Sequence, residues 1–112
     1  MAPVFREKVL DSYRRKNSVL CVGLDPALPS QRSSNVLPPR YANERDENKS
    51  RLDFCLSIVE ETSPYCVAFK PNQQYVAGFT SNDHRSLADA IKESGCFSIL
   101  DYKLNDIGDT VE

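Results

Sequence analysis

The sequence is poor in the residues on which several common catalytic sites depend. Only one of its 112 residues is histidine, and this residue, His84, lies in the polar stretch 81–85. The chain therefore offers no Ser-His-Asp triad and no histidine-rich metal site, and we expect His84 at the surface near the start of a helix. The four glycines do not cluster, and the dinucleotide and P-loop motifs are both missing. A generic nucleotide-binding module is unsupported for that reason.

Paired cysteines are also missing. The four cysteines, Cys21, Cys55, Cys66 and Cys96, include no C-x-x-C pair, so a structural zinc site is not expected. Cys21 and Cys66 fall in predicted buried strands, and Cys55 falls on the apolar face of a predicted helix. We expect reduced, buried thiols that act as small hydrophobic residues.

Long apolar runs and concentrated charge are absent as well. No run is long enough to span a membrane, and the N-terminal sequence MAPVFREKVL lacks the apolar centre of a signal peptide. The formal net charge is −2, with acidic and basic residues mixed along the chain. These features predict a cytoplasmic protein without a nucleic-acid or membrane partner.

Apolar runs and helical periodicities alternate along the chain. Strands are predicted in the runs beginning at 18, 66 and 96, the first ending at Asp25 and the others at 69 and 100. Helices are predicted at 4–16, 46–62 and 81–94, with a short turn at 75–79 and a further helix beginning within 106–112. The proline-rich stretch 27–41 is predicted as a long loop. This order predicts an α/β fold whose parallel strands are buried on both faces.

Charged residues follow the three predicted strands. Asp25 ends the first strand and Lys70 the second, while Asp101 and Lys103 end the third and Asp106 comes shortly after. Active sites of parallel α/β proteins gather at the carboxyl ends of the strands. Any one of these charges is explained by a solvated strand end, but three in succession indicate a functional site.

Three motifs in order resemble those of orotidine 5′-phosphate decarboxylases. They are VGLDP (22–26), AFKPN (68–72) and LDYKLNDIGDT (100–110), and they are most similar to the branch whose second strand ends in K-P-N. The resemblance implies that residues 1–112 are the N-terminal portion, about three βα units, of a (β/α)8 TIM barrel completed by another chain or segment. It also implies a homodimer that converts orotidine 5′-monophosphate to uridine 5′-monophosphate and CO2 in pyrimidine biosynthesis, without metal or organic cofactor.

The resemblance assigns catalytic roles to four residues. Lys103 would donate the proton to the pyrimidine carbon, and Asp101 would face the departing carboxylate. Lys70 would hold Asp101 and contact the ribose, and Asp106 would reach the neighbouring subunit's site. The alternating charges agree with this chemistry, because an ammonium both stabilises and protonates a carbanion.

Substrate-binding roles follow from the same resemblance. Asp25 would bind a ribose hydroxyl, Lys70 and Asn72 would contact the substrate, and Ile107 and Thr110 would lie beside Asp106. The chain departs from the family pattern at 73–76 (QQYV) and at 104–105 (LN).

The phosphate-binding residues of the family belong to later strands, and three parallel strands cannot close a barrel. We therefore expect the chain to act with a complementary C-terminal polypeptide, as part of a split or fragmented enzyme. One alternative is a magnesium-dependent sugar-phosphate synthase or decarboxylase that shares D-x-K-x-x-D, although Lys70-Pro71-Asn72 argues against it. The other is a catalytically silent assembly subunit.

Overall fold

A computed structural model of the chain describes residues 5–34, 36–42 and 46–99. Its helices are α1 (Phe5–Lys16), α2 (Pro39–Ala42), α3 (Glu47–Thr62), α4 (Gln73–Val76) and α5 (Ser81–Glu93). Its strands are β1 (Cys21–Leu24), β2 (Ala68–Pro71) and β3 (Phe97–Ser98), and a 3-10 turn, Ser63–Tyr65, connects α3 to β2. No helix within these ranges is both long and apolar enough to cross a membrane.

The three strands form one parallel sheet in the order β1-β2-β3, as the alternation of strands and helices predicted. Cys21 lies opposite Ala68, which lies opposite Phe97 on its other side. The ladder continues past β3, because the Ile99 N–H donates to the Phe69 carbonyl at 2.8 Å. β1 ends one residue earlier than predicted, at Leu24, and β2 extends to Pro71. Pro71 has no N–H to donate, and the last hydrogen bond between the two strands comes from the next residue, Asn72.

Helices α3 and α5 cover one face of this sheet and form the core with it. Leu24 and Phe69 are completely buried on this face. Helix α3 contributes Cys55 and Val59 to this core, and α5 contributes Leu87 and Ile91.

On the opposite face of the sheet Cys21, Gly23 and Lys70 are exposed in the part of the chain that the structure describes, whereas Ala68 is buried. The prediction of burial on both faces was therefore wrong for the three exposed residues, and this face is called the open face below. Side chains alternate along a strand, and Cys21 therefore falls on the open face and is exposed. The other three cysteines are buried as predicted, and all four are free thiols.

Local capping interactions set the helix boundaries. Asp46, predicted as the first helical residue, is instead the N-cap of α3 and accepts from the Asn48 and Lys49 N–H groups at 3.0 and 3.1 Å. Thr80 and Asp83 form a capping box that begins α5. His84 is exposed in the first turn of α5, as predicted, and its ring centroid lies 5.4 Å from that of Phe79.

Helix α1 lies against the amino-terminal ends of β2 and β3. The Lys16 ammonium donates to the Ser63 carbonyl at 2.5 Å and to the Ser94 carbonyl at 2.8 Å. These two residues are the C-caps of α3 and α5. The Ser12 hydroxyl also donates to the carbonyl of Gly95 at 3.0 Å. One helix thus fixes the points from which two strands start.

We expect Phe69→Ala to destabilise the chain by about 3–5 kcal/mol, because it removes a fully buried ring from the centre of the core. The free energy of unfolding, measured by urea titration followed by circular dichroism, checks this. Tyr65→Ala is the matched control, since that ring is 68% exposed and should change stability little. Equal effects of the two substitutions would contradict the core assignment.

Candidate functional site

The carboxyl end of the sheet brings together three of the predicted site residues. Asp25 follows β1 directly, Lys70 lies in β2 opposite Gly23, and Asn72 follows β2. The Asn72 N–H donates to the Leu24 carbonyl at 3.0 Å, which holds the two strand ends side by side. The predicted convergence of Asp25 with Lys70 is therefore observed at the level of the backbone.

The side chains of Asp25 and Lys70 share the open face of the sheet. Lys70 is exposed, whereas its neighbour Phe69 is buried on the helix side. A Cβ atom built on Gly23 would lie 3.6 Å from Oδ2 of Asp25, so this carboxylate lies over the glycine that pairs with Lys70.

The remaining predicted catalytic and binding residues, Asp101, Lys103, Asp106, Ile107 and Thr110, lie outside the described residues. Their roles stay predictions. The last described residue, Ile99, is hydrogen-bonded to Phe69 of β2, one residue before Lys70. Ile99 is also two positions before Asp101 in the sequence.

Asn72 has a structural role at this edge. Its Oδ1 accepts from the Gln74 N–H at 3.0 Å and caps α4. The sequence predicted a turn that begins at residue 75, but the helix begins at Gln73 because this cap precedes it. A substrate contact by Asn72 is not tested by this geometry.

The long loop predicted at 27–41 is firmly held beside the site. The Leu37 N–H donates to the Ala27 carbonyl at 2.8 Å, and both side chains are buried. Gln31 Oε1 accepts from the Leu28 N–H and from the Arg51 guanidinium, each at 2.9 Å. The loop is thus closed at its base and tied to α3, and its last residues form the start of α2.

Sequence reasoning missed Arg32, which belongs to this loop. Its guanidinium carbon lies 5.4 Å from the ring centroid of Tyr75, in the helix that directly follows the K-P-N motif. This cation–π contact joins the loop after β1 to the segment after β2. No spacing in the sequence signals it, since the two residues are far apart in the chain.

The Cys55 thiol lies close enough to Asp25 to sense its charge. Burial, together with the negative charge of Asp25, raises the pKa of Cys55 from 9.0 to about 12. The buried Cys55 thiol therefore stays protonated at neutral pH and adds no second negative charge near Asp25.

A model of the Orotidine 5′-phosphate decarboxylase / HUMPS family matches residues 18–112. The chain belongs to this family. The family fold is a TIM barrel, and the described residues form an open, three-stranded N-terminal portion of it.

Curated relatives named orotidine 5′-phosphate decarboxylase are similar over nearly the whole chain. The relative from Porphyromonas gingivalis is 35% identical over 109 residues, which cover 93% of this chain and 36% of the relative. The relative from Ralstonia pickettii is 37% identical over 111 residues, covering 96% of this chain and 38% of the relative. The chain therefore spans little more than a third of the length of these relatives. No solved structure matches it.

We expect the free energy of unfolding to fall as the pH rises from about 9 to about 12. The pKa of Cys55 is higher in the folded chain, so its contribution is complete below pH 9 and is lost as the pH rises through about 12. Urea titrations across this range check the slope, which Cys55→Ala should make shallower.

Cys21→Ala is the control for this measurement, because that cysteine is exposed and its removal should leave the slope unchanged. A slope that is the same for the native chain and for both variants would show that Cys55 does not sense burial or Asp25.

Proposed function

We propose that this chain supplies the first three strands of an orotidine 5′-monophosphate decarboxylase, which forms uridine 5′-monophosphate and CO2 in pyrimidine biosynthesis. The observation that carries the proposal is the parallel register at the carboxyl end of the sheet. In this register Lys70 pairs with Gly23, and the Asp25 carboxylate lies over that glycine. The residue after β3, Ile99, is hydrogen-bonded to the neighbour of Lys70 in β2. Family membership and the names of the relatives support the same reaction.

In this proposal Lys103 carries the chemical step. Loss of the carboxylate leaves a carbanion at the pyrimidine carbon, and a nearby ammonium stabilises and then protonates it. Asp101 faces the departing carboxylate and repels it in the ground state, a repulsion that disappears as neutral CO2 forms. Lys70 holds Asp101 in place.

Asp25 and Lys70 bind the ribose in this arrangement. A half-buried carboxylate accepts hydrogen bonds from sugar hydroxyl groups, and Asp25 lies on the open face where a ligand has access. Asn72 adds a contact from the end of β2. Binding energy from the distant phosphate offsets the repulsion at the reacting carboxylate, and residues of the remaining barrel supply that contact.

The partner in this proposal is the remaining two thirds of the barrel. Within the described ranges β1 pairs only with β2, so its other edge is open. The residues leading into β1 are apolar and exposed, with Val19 76% and Leu20 60% accessible. An open edge beside exposed apolar residues is stabilised when further strands cover it. The completed barrel forms a homodimer, in which Asp106, Ile107 and Thr110 reach the neighbouring active site.

The test is a chimera in which this chain replaces the matching segment of the Ralstonia pickettii relative. We expect it to decarboxylate orotidine 5′-monophosphate, and we expect Lys103→Ala to lower kcat by about 10²–10⁴-fold, because the proton donor is lost. Lys92→Ala, on the exposed surface of α5, is the matched control and should retain full activity. Equal kcat values for the two variants would contradict the role of Lys103.

The same chimera separates the alternatives. Activity that persists in a metal chelator supports this function against a magnesium-dependent sugar-phosphate enzyme of the same family. A folded chimera that turns over neither orotidine 5′-monophosphate nor a sugar phosphate would favour a catalytically silent assembly subunit.

A further inference from the structure

Three reactive side chains meet at the amino-terminal end of the sheet, away from the proposed active site. The Cys96 thiol donates to the Cys66 carbonyl at 3.3 Å, and the Lys16 ammonium lies 3.6 Å from Cys96 Sγ. Both cysteines are buried, with 1% and 7% of their surface exposed. The proposed decarboxylation uses none of the three.

The two cysteines are spaced as a disulfide requires. Ala68 lies opposite Phe97, so the preceding residues of the two strands, Val67 and Cys96, are neighbours. Cys66 comes one position before Val67 and is therefore diagonal to Cys96. Adjacent strands and the rise per residue give a Cα separation of roughly 6 Å for such a diagonal. Disulfides span about 4.4–6.8 Å between Cα atoms, and the side chains of Cys66 and Cys96 already contact each other through a hydrogen bond before the extended part of the strands begins.

Lys16 supplies a positive charge that is fixed next to one sulfur. Its ammonium is held by the carbonyl groups of Ser63 and Ser94, which fix it beside Cys96. A positive charge at this distance stabilises the negative charge that develops on a sulfur when it attacks an electrophile. Burial and the neighbouring Cys96 raise the pKa of the Cys66 thiol to about 11.

We propose that Cys66 and Cys96 form a redox-active pair, which a hydroperoxide oxidises to an intramolecular disulfide with Cys96 reacting first. The Cys96 sulfur attacks one peroxide oxygen, the O–O bond breaks, and the products are a sulfenic acid and one molecule of water or alcohol. The Cys66 sulfur then attacks the sulfenic sulfur, the S–O bond breaks, the S–S bond forms, and water leaves with the thiol proton. The two thiols lose two electrons, and the hydroperoxide gains them.

The test uses the full chain carrying Cys21→Ser and Cys55→Ser, so that only the proposed pair remains. Hydrogen peroxide should convert the folded protein to a monomer lighter by two hydrogen atoms, with no thiol open to alkylation after denaturation and with full reversal by dithiothreitol. The matched control carries Cys21→Ser and Cys66→Ser, and it should form no intramolecular disulfide. Two free thiols, or added oxygen on one cysteine beside a free partner, would overturn the proposal.

The role of Lys16 is tested separately in the same background. Lys16→Gln should slow disulfide formation about tenfold, which corresponds to about 1.4 kcal/mol of lost stabilisation of the developing charge. Lys16→Arg keeps the charge and should react nearly as fast as the parent, and Lys92→Gln, which removes an exposed charge elsewhere, should not change the rate. Circular dichroism confirms that each variant is folded. Equal rates for Lys16→Gln and the parent would show that the lysine does not assist.

Discussion

A single ammonium group joins the elements on which the geometry of the sheet depends. Lys16 binds the carbonyl oxygens of Ser63 and Ser94, and each of these residues ends a helix shortly before a strand begins. The carboxyl ends of helices carry partial negative charge, so one cation neutralises two helix ends at once. The two carbonyl oxygens offset the cost of removing the charge from water. Helix α1 thereby sets where β2 and β3 start relative to each other.

The start of a strand fixes the position of its carboxyl end, because the rise per residue is constant. Because β2 and β3 are parallel and in register, Ile99 lies beside β2 close to Lys70, toward the same edge of the sheet. The pairing of β1 with β2 then brings Asp25 to that edge. The arrangement at the proposed active site therefore follows from contacts made at the other end of the sheet.

Much of this fold was predictable because its signals are local. The helices follow from apolar periodicity and from caps such as Thr80, and Gly95 ends α5 with a positive φ of 82° that few other residues adopt. The order of strands and helices indicated parallel pairing, which the structure confirms, and charged strand ends indicated the site edge. The convergence of Asp25 with Lys70 at that edge follows from the parallel pairing alone.

Other features depend on partners distant in sequence, and no local signal reveals them. Cys21 has the apolar neighbours of a buried strand residue, yet it lies on the face that no described helix covers. The bridge from Gln31 to Arg51 and the contact of Arg32 with Tyr75 arise only after the loop has folded back. Lys16, which links the helix ends that precede β2 and β3, cannot be distinguished in the sequence from any other charged residue in the last turn of a helix.

Because the loop after β1 is closed at its base, its length can change without altering the geometry of the proposed active site. The hydrogen bond from the Leu37 N–H to the Ala27 carbonyl brings the two ends of the loop together, so the segment between them starts and ends at the same point beside the sheet. The entropic cost of closing a loop rises only slowly with its length. Insertions and deletions in that segment can change the surface beside the proposed site, while Asp25 and Lys70 keep their spacing.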